Sequence, residues 1–175
     1  VRRGAGTGEI MLSFVTDPMV LPGVLWEGLE GVASVYQLIN DNLENDLSDG
    51  EPVHLWGEPF YREKINRQLF QVGPRSFFQP NPVMAERMVD HVQEIAASID
   101  PQSGLIDLYC GIGLFAISLV KYFERIMGVE NSAEAVALAK SNAYGLPIRF
   151  ACVDAEKWNW PARSDFDTLL VDPPR

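Results

Sequence analysis

The apolar positions of this chain change period part-way along. Over roughly the first 75 residues they fall in short alternating or clustered runs. Glu9 to Thr16 and Ala33 to Ile39 carry the β-branched and aromatic content of strands, and Val53–Trp56 and Gln68–Val72 predict two more. Leu21 to Leu29 suggests a short helix, weakened by Gly23 and Gly28. Asn40 to Gly50 is polar and rich in turn formers, which predicts a solvated loop. Nothing in this half names a chemistry.

Beyond residue 76 helical spacing alternates with apolar runs. Asn81-Pro82 predicts a helix start, with Asn as the cap and Pro at the first helical position. Met84, Met88, Val92, Ile95 and Ile99 then recur along one face, giving an amphipathic helix to about Ser98. Leu105–Tyr109, Arg125–Glu130, Ile148–Val153 and Asp167–Val171 read as four strands. Between them, helices are predicted over Phe115–Tyr122 and from Asn131, with Glu134 three residues on, to Gly145. Apolar strands alternating with helices imply an α/β fold with a parallel sheet covered on both faces. The expected division is 1–75 and 76–175.

Composition narrows the classes. Of 175 residues, 47% are hydrophobic and 22% charged, which is ordinary for a globular chain able to bury a core. No apolar run approaches the ~20 residues of a membrane span, and no signal-peptide pattern opens the chain. Against 24 Asp+Glu stand 14 Lys+Arg, a net charge of −10. That argues against a grip on nucleic acid by bulk charge alone, while leaving room for a local basic patch or basic parts outside the chain. Cys110 and Cys152 cannot build a disulfide framework, no Cys/His set has metal-ligand spacing, and both sit in apolar stretches as small hydrophobes do. The cytosol is the expected compartment, and no metal is expected.

The strongest local feature is Asp107-Leu108-Tyr109-Cys110-Gly111-Ile112-Gly113. Glycines just after a strand let a ligand approach the backbone, and the following helix presents its first N–H groups. Glu130, at the end of the next strand, suits a carboxylate accepting the hydroxyl hydrogens of a ribose. Two cofactors compete for this pattern. Gly111, Gly113 and Ala116 match G-x-G-x-x-A of a dinucleotide fold, with Glu130 near the distance for a nicotinamide ribose. S-adenosylmethionine is the rival. It gives roles to Asp154, which follows the third strand and could face an adenine amino group, and to Asp172-Pro173-Pro174-Arg175 after the fourth.

Phe77-Phe78-Gln79-Pro80-Asn81, the glycine turn, Gly128-Val129-Glu130 and Asp172-Pro173-Pro174-Arg175 occur in the order seen in RNA 5-methyluridine methyltransferases, which this chain resembles over most of its length. The resemblance implies a Rossmann-like class I methyltransferase sheet, represented by its first four parallel strands, preceded by part of a small α/β central domain. It implies S-adenosylmethionine as cofactor, contacted by Gln79, Tyr109, Glu130 and Asp172. Gly111 and Gly113 would pass beside it, and Asp154 would face adenine. Phe77 and Phe78 are expected in the core. The implied partner is RNA, 23S ribosomal RNA ahead of tRNA.

In that family a cysteine thiolate adds to carbon 6 of uracil and a general base later takes the carbon 5 proton. Both groups lie past the Asp-Pro-Pro-Arg motif, so no catalytic residue is assigned here. The chain, which opens on Val1, is expected to be a fragment that binds cofactor without methylating RNA unaided. Its fourth strand would leave an open apolar edge, making self-association a candidate property. Two alternatives stand beside this reading: a nicotinamide-dependent oxidoreductase, and a non-catalytic RNA-associated module.

Overall fold

The computed structural model describes residues 1–22, 26, 28–40, 50–99, 103–160 and 165–173. It divides into two compact units, Val1–Ser76 and Phe77–Arg175. In the first, β1 (Arg2–Arg3), β2 (Ile10–Thr16), β3 (Val32–Ile39) and β4 (Glu51–Gly57) form one sheet in that order. β2 and β3 run parallel and the other pairs antiparallel. Met11, Val35 and Leu38 are buried within it.

A separate hairpin pairs β5 (Tyr61–Ile65) with β6 (Gln68–Val72). Its two connecting residues, Asn66 and Arg67, both take positive φ, 46° and 73°, as a tight two-residue hairpin turn demands. β5 has no counterpart among the predicted strands, because its inward positions are Tyr61, Glu63 and Ile65. The buried Glu63 carboxylate accepts the N–H groups of Ala5, Gly6 and Lys64 at 2.8–2.9 Å. A charge at the middle inward position hides the alternation.

The short helix expected over Leu21–Leu29 is not present at Leu21, Pro22, Trp26, Gly28 or Leu29; the remaining four positions lie outside the described residues. Gly28 has φ 79°, which no right-handed helix accommodates. The polar loop predicted from Asn40 to Gly50 lies outside the described residues except for its two ends.

In the second unit β7 (Gly104–Leu108), β8 (Arg125–Glu130), β9 (Ile148–Cys152) and β10 (Thr168–Val171) form a wholly parallel sheet ordered β10-β7-β8-β9. α1 spans Pro82–Ala96, α2 Leu114–Ser118 and α3 Ala133–Asn142. Asn81 caps α1 as expected, its side chain accepting the Met84 N–H at 3.1 Å. The α3 cap is Ser132, one residue later than expected; its hydroxyl accepts from Ala135 at 3.2 Å. α2 stops four residues early, where the Ser118 hydroxyl bonds back to Leu114 and Gln93 of α1 takes the Ser118 carbonyl.

The buried side of α1 also differs from the expected stripe. Ala85, Val89 and Ala96 are buried, whereas Met84 and Ile95 are about half exposed, at 48% and 51%. Val92 and Ile99 of the expected stripe do pack against the core beside Ala96, where the small side chain lets the helix approach closely.

Both faces of the sheet are covered, as expected, with α1, α2 and α3 together on one of them. Leu105 and Ile126 pack with Ala96 of α1 and with Ala116 and Leu119 of α2, alongside Phe150. Ala139 of α3 shares that face, since it and the Phe150 ring both border Gly113. The opposite face, Ile106, Leu108 and Val129, is covered by Tyr109, Val153, Trp158 and Phe166. Leu169 and Val171, in register with Ile106 and Leu108, remain half exposed on the edge strand β10.

Gly128 sits where the helical face is tightest. A Cβ there would lie 2.5 and 2.7 Å from the Phe150 ring and 2.9 Å from the Cys110 sulfur. Gly128→Ala is therefore expected to lower stability by about 1–3 kcal/mol through overpacking. A fall in thermal midpoint of several degrees checks this; an unchanged midpoint refutes it. No helix among the described residues is long and apolar enough to cross a membrane.

Candidate functional site

The carboxyl ends of β7, β8 and β10 converge on the turn that joins β7 to α2. In an open α/β sheet that is where ligands bind. The turn is built from backbone conformations that side chains rarely adopt: Tyr109, Gly111 and Gly113 have φ of 61°, 54° and 89°. For Tyr109 this conformation costs on the order of 1–2 kcal/mol. Its half-buried side chain packs against the cluster of Ile106, Leu108 and Val129, which holds it there. The Cys110 N–H donates to Val129 at 3.1 Å and the Gly113 N–H to Cys110 at 2.8 Å, closing the turn on β8.

The two glycines serve different ends. A Cβ at Gly113 would meet Ile117 at 3.1 Å and Phe150 at 3.4 Å, so this glycine is needed for packing as well as for its φ. A Cβ at Gly111 would meet nothing within 4 Å. Gly111 thus presents bare backbone to open space, the geometry a ligand needs for close approach.

Three carboxyl groups surround the turn. Asp107 is buried, and its Oδ2 accepts the Ala116 N–H at 2.9 Å. Burial pushes its pKa up from 3.8 to about 7; the Ala116 bond opposes the rise, and the neighbouring Asp172 and Glu130 carboxylates add to it. Glu130 is half-buried and held by backbone alone. Its Oε2 accepts from Gly111 at 3.1 Å, and its Oε1 accepts from Asn131 at 2.8 Å and Ser132 at 2.9 Å. Asp172 is exposed just after β10. Among the described residues no group of His, Cys, Asp and Glu is arranged to hold a metal.

Tyr109, Gly111, Gly113, Glu130 and Asp172 therefore meet at one mouth of the sheet. Asp154, at the end of β9, caps its own turn: Oδ1 accepts the Glu156 N–H at 3.0 Å, and Lys157 lies 3.8 Å from Oδ2. Gln79 is half-buried in the segment leading into α1, where the capping role falls to Asn81. Phe77, expected in the core, is 72% exposed, while Phe78 is half-buried. Pro174 and Arg175 lie outside the described residues.

The cysteines divide. Burial drives the Cys110 thiol far above its ordinary range, with the Asp107 and Glu130 carboxylates adding to the rise, which disfavours its thiolate. Cys152, expected in an apolar setting, is exposed at the end of β9 with its sulfur 3.7 Å from the Asn131 carbonyl. Asp107 received no separate role from the sequence. An acid inside an otherwise apolar strand, just before a glycine turn, was the available signal.

The sequence model of the tRNA (uracil-5-)-methyltransferase family matches residues 62–151. The chain belongs to this family. It is 36% identical to a protein of Oceanobacillus iheyensis described as an uncharacterized RNA methyltransferase, over 100% of the chain and 40% of that protein. It is 31% identical to the tRNA (uracil(54)-C(5))-methyltransferase of Pyrococcus horikoshii, over 100% of the chain and 41% of the relative. Among solved structures, the Pyrococcus abyssi tRNA (uracil-54, C5)-methyltransferase in complex with S-adenosyl-L-homocysteine superposes with a TM-score of 0.82 at 29% identity, covering 99% of this chain and 42% of that one. The chain thus spans about two-fifths of the length of these relatives. Membership of this family removes the oxidoreductase alternative.

Proposed function

We propose that the protein containing this chain methylates carbon 5 of a uridine in RNA, and that this chain holds S-adenosylmethionine. The observation that carries the reading is the open backbone at Gly111 beside the Glu130 carboxylate, in a chain of this family. The acidity of the mouth supports the same cofactor. Glu130 and Asp172 flank the turn with carboxyl groups at the mouth, which repel a pyrophosphate and attract a cation. Bound S-adenosylmethionine supplies an electrophilic methyl group on a positively charged sulfur. Glu130 accepts hydrogen bonds from the ribose, Gly111 lets the nucleoside lie against the backbone, and Asp172 adds negative charge at the mouth. Asp154 serves the adenine amino group through Oδ2, since Oδ1 is engaged in its own turn.

The nucleophilic thiolate and the general base of this proposal belong to the rest of the protein. For the RNA, relatives from Pyrococcus horikoshii and Pyrococcus furiosus are named tRNA (uracil(54)-C(5))-methyltransferases. They weigh against the ribosomal preference, and tRNA is the substrate we propose to test first. Titration calorimetry should give saturable binding of S-adenosylmethionine and no binding of NAD; the reverse overturns the reading. With the whole protein, methyl transfer to unmodified tRNA in preference to 23S ribosomal RNA is expected, and transfer to the ribosomal RNA alone overturns the choice of substrate.

A further inference from the structure

We infer that Glu130 is also the clamp that holds the glycine turn closed, so that a vicinal diol and the Gly111 amide compete for the same carboxylate. The inference rests on the cofactor reading above and refines how that ligand is admitted. A carboxylate offers about four acceptor positions, two on each oxygen. Three are occupied by backbone N–H groups. Oε1 holds Asn131 and Ser132 at 2.8 and 2.9 Å, and Oε2 holds Gly111 at 3.1 Å. A single position is left, on Oε2, while the two hydroxyls of a ribose need two.

One backbone bond has to yield. The pair on Oε1 is fixed by the start of α3, where Ser132 is itself the helix cap. The Gly111 bond is the longest of the three and falls on the oxygen with the vacant position. No atom beyond its chain neighbours lies within 4 Å of where a Cβ at Gly111 would sit, so that side of the residue is open to a change of backbone conformation. The diol therefore releases Gly111 from Glu130, whereas a ligand with one hydroxyl fits the vacant position and leaves the clamp shut. The two bound states make the same number of hydrogen bonds to Glu130, which predicts weak discrimination between ribose and deoxyribose.

The test follows the Gly111 amide by nuclear magnetic resonance in the intact protein labelled with ¹⁵N-glycine and carbonyl-¹³C cysteine. Cys110-Gly111 is the one Cys–Gly step of this sequence, and loss of its signal in Gly111→Ala secures the assignment. Saturation with S-adenosylhomocysteine should move this amide proton upfield, as expected for release from a carboxylate. The 2′-deoxy analogue should leave it in place and bind less than about tenfold more weakly, within the worth of one charged hydrogen bond. An amide unmoved by S-adenosylhomocysteine that calorimetry shows to be bound overturns the clamp alone. Absence of calorimetric binding overturns the cofactor reading and the clamp with it.

Discussion

Replacing Asp107 by asparagine is expected to flatten the dependence of folding stability on pH between about 4 and 7. The folded pKa of Asp107 is raised, from 3.8 to about 7, chiefly by burial. Below pH 4 both folded and unfolded chains carry the protonated acid, and its contribution is fully present. As pH rises the unfolded chain ionises first, so the folded state loses stability until about pH 7 and no further beyond it. The full displacement corresponds to roughly 4 kcal/mol, an upper bound for a buried group that can relax. Asparagine removes the ionisation yet keeps a carbonyl oxygen for the Ala116 N–H. Urea midpoints at pH 4, 5.5, 7 and 8 should therefore fall steeply for the native chain and much less for Asp107→Asn. Parallel slopes for the two proteins would show that Asp107 is not held in its raised state. The same acid anchors the turn to α2, so the cofactor mouth is fixed by a group whose charge changes near neutrality.

The parallel sheet was legible because its strands are apolar on both faces and its turns carry glycine. β8 begins and ends where the residue pattern puts it, and Asn81-Pro82 marks the start of α1. Other features depend on partners far along the chain, which periodicity cannot see. Glu63 makes β5 look polar, yet its charge is met by N–H groups 57 and 58 residues away. Around α1 the periodicity found Val92 and Ile99, which pack, but missed Ala85 and Ala96, which are buried because they are small. The placement of all helices on one face needs the three-dimensional path of the chain.

The site was legible in the same uneven way. Gly111, Gly113 and Glu130 were singled out by their positions at strand ends. The division of labour between the two glycines was not, because it rests on Phe150 and Ile117 crowding one and nothing crowding the other. Nor was the role of Asp107, whose partner is an amide nine residues on. Phe77 illustrates the opposite error: an aromatic pair suggests core, and only the chain's path leaves its first member exposed.

Glu130→Ala should weaken S-adenosylmethionine binding by tenfold or more while leaving the fold in place. A hydrogen bond to a charged group contributes about 1.5–3 kcal/mol, and each 1.4 kcal/mol is a decade of affinity. Two costs have to be separated in this variant. Truncation removes the ribose acceptor, and it also frees three backbone N–H groups and an acid from the start of α3. Asn131 and Ser132 are exposed, so water replaces the carboxylate there and the loss of stability stays near roughly 1–2 kcal/mol. Ser132→Ala supplies the control. It removes the α3 cap to Ala135, at a cost of about 1 kcal/mol, and leaves every acceptor of Glu130 intact. Calorimetric titration well below the thermal midpoint should then show full affinity in Ser132→Ala and a loss of tenfold or more in Glu130→Ala. Equal losses in the two variants would mean that Glu130 acts through the helix start alone, and equal retention would remove it from the ribose site. Only the split between them is the signature of a carboxylate that meets the ligand.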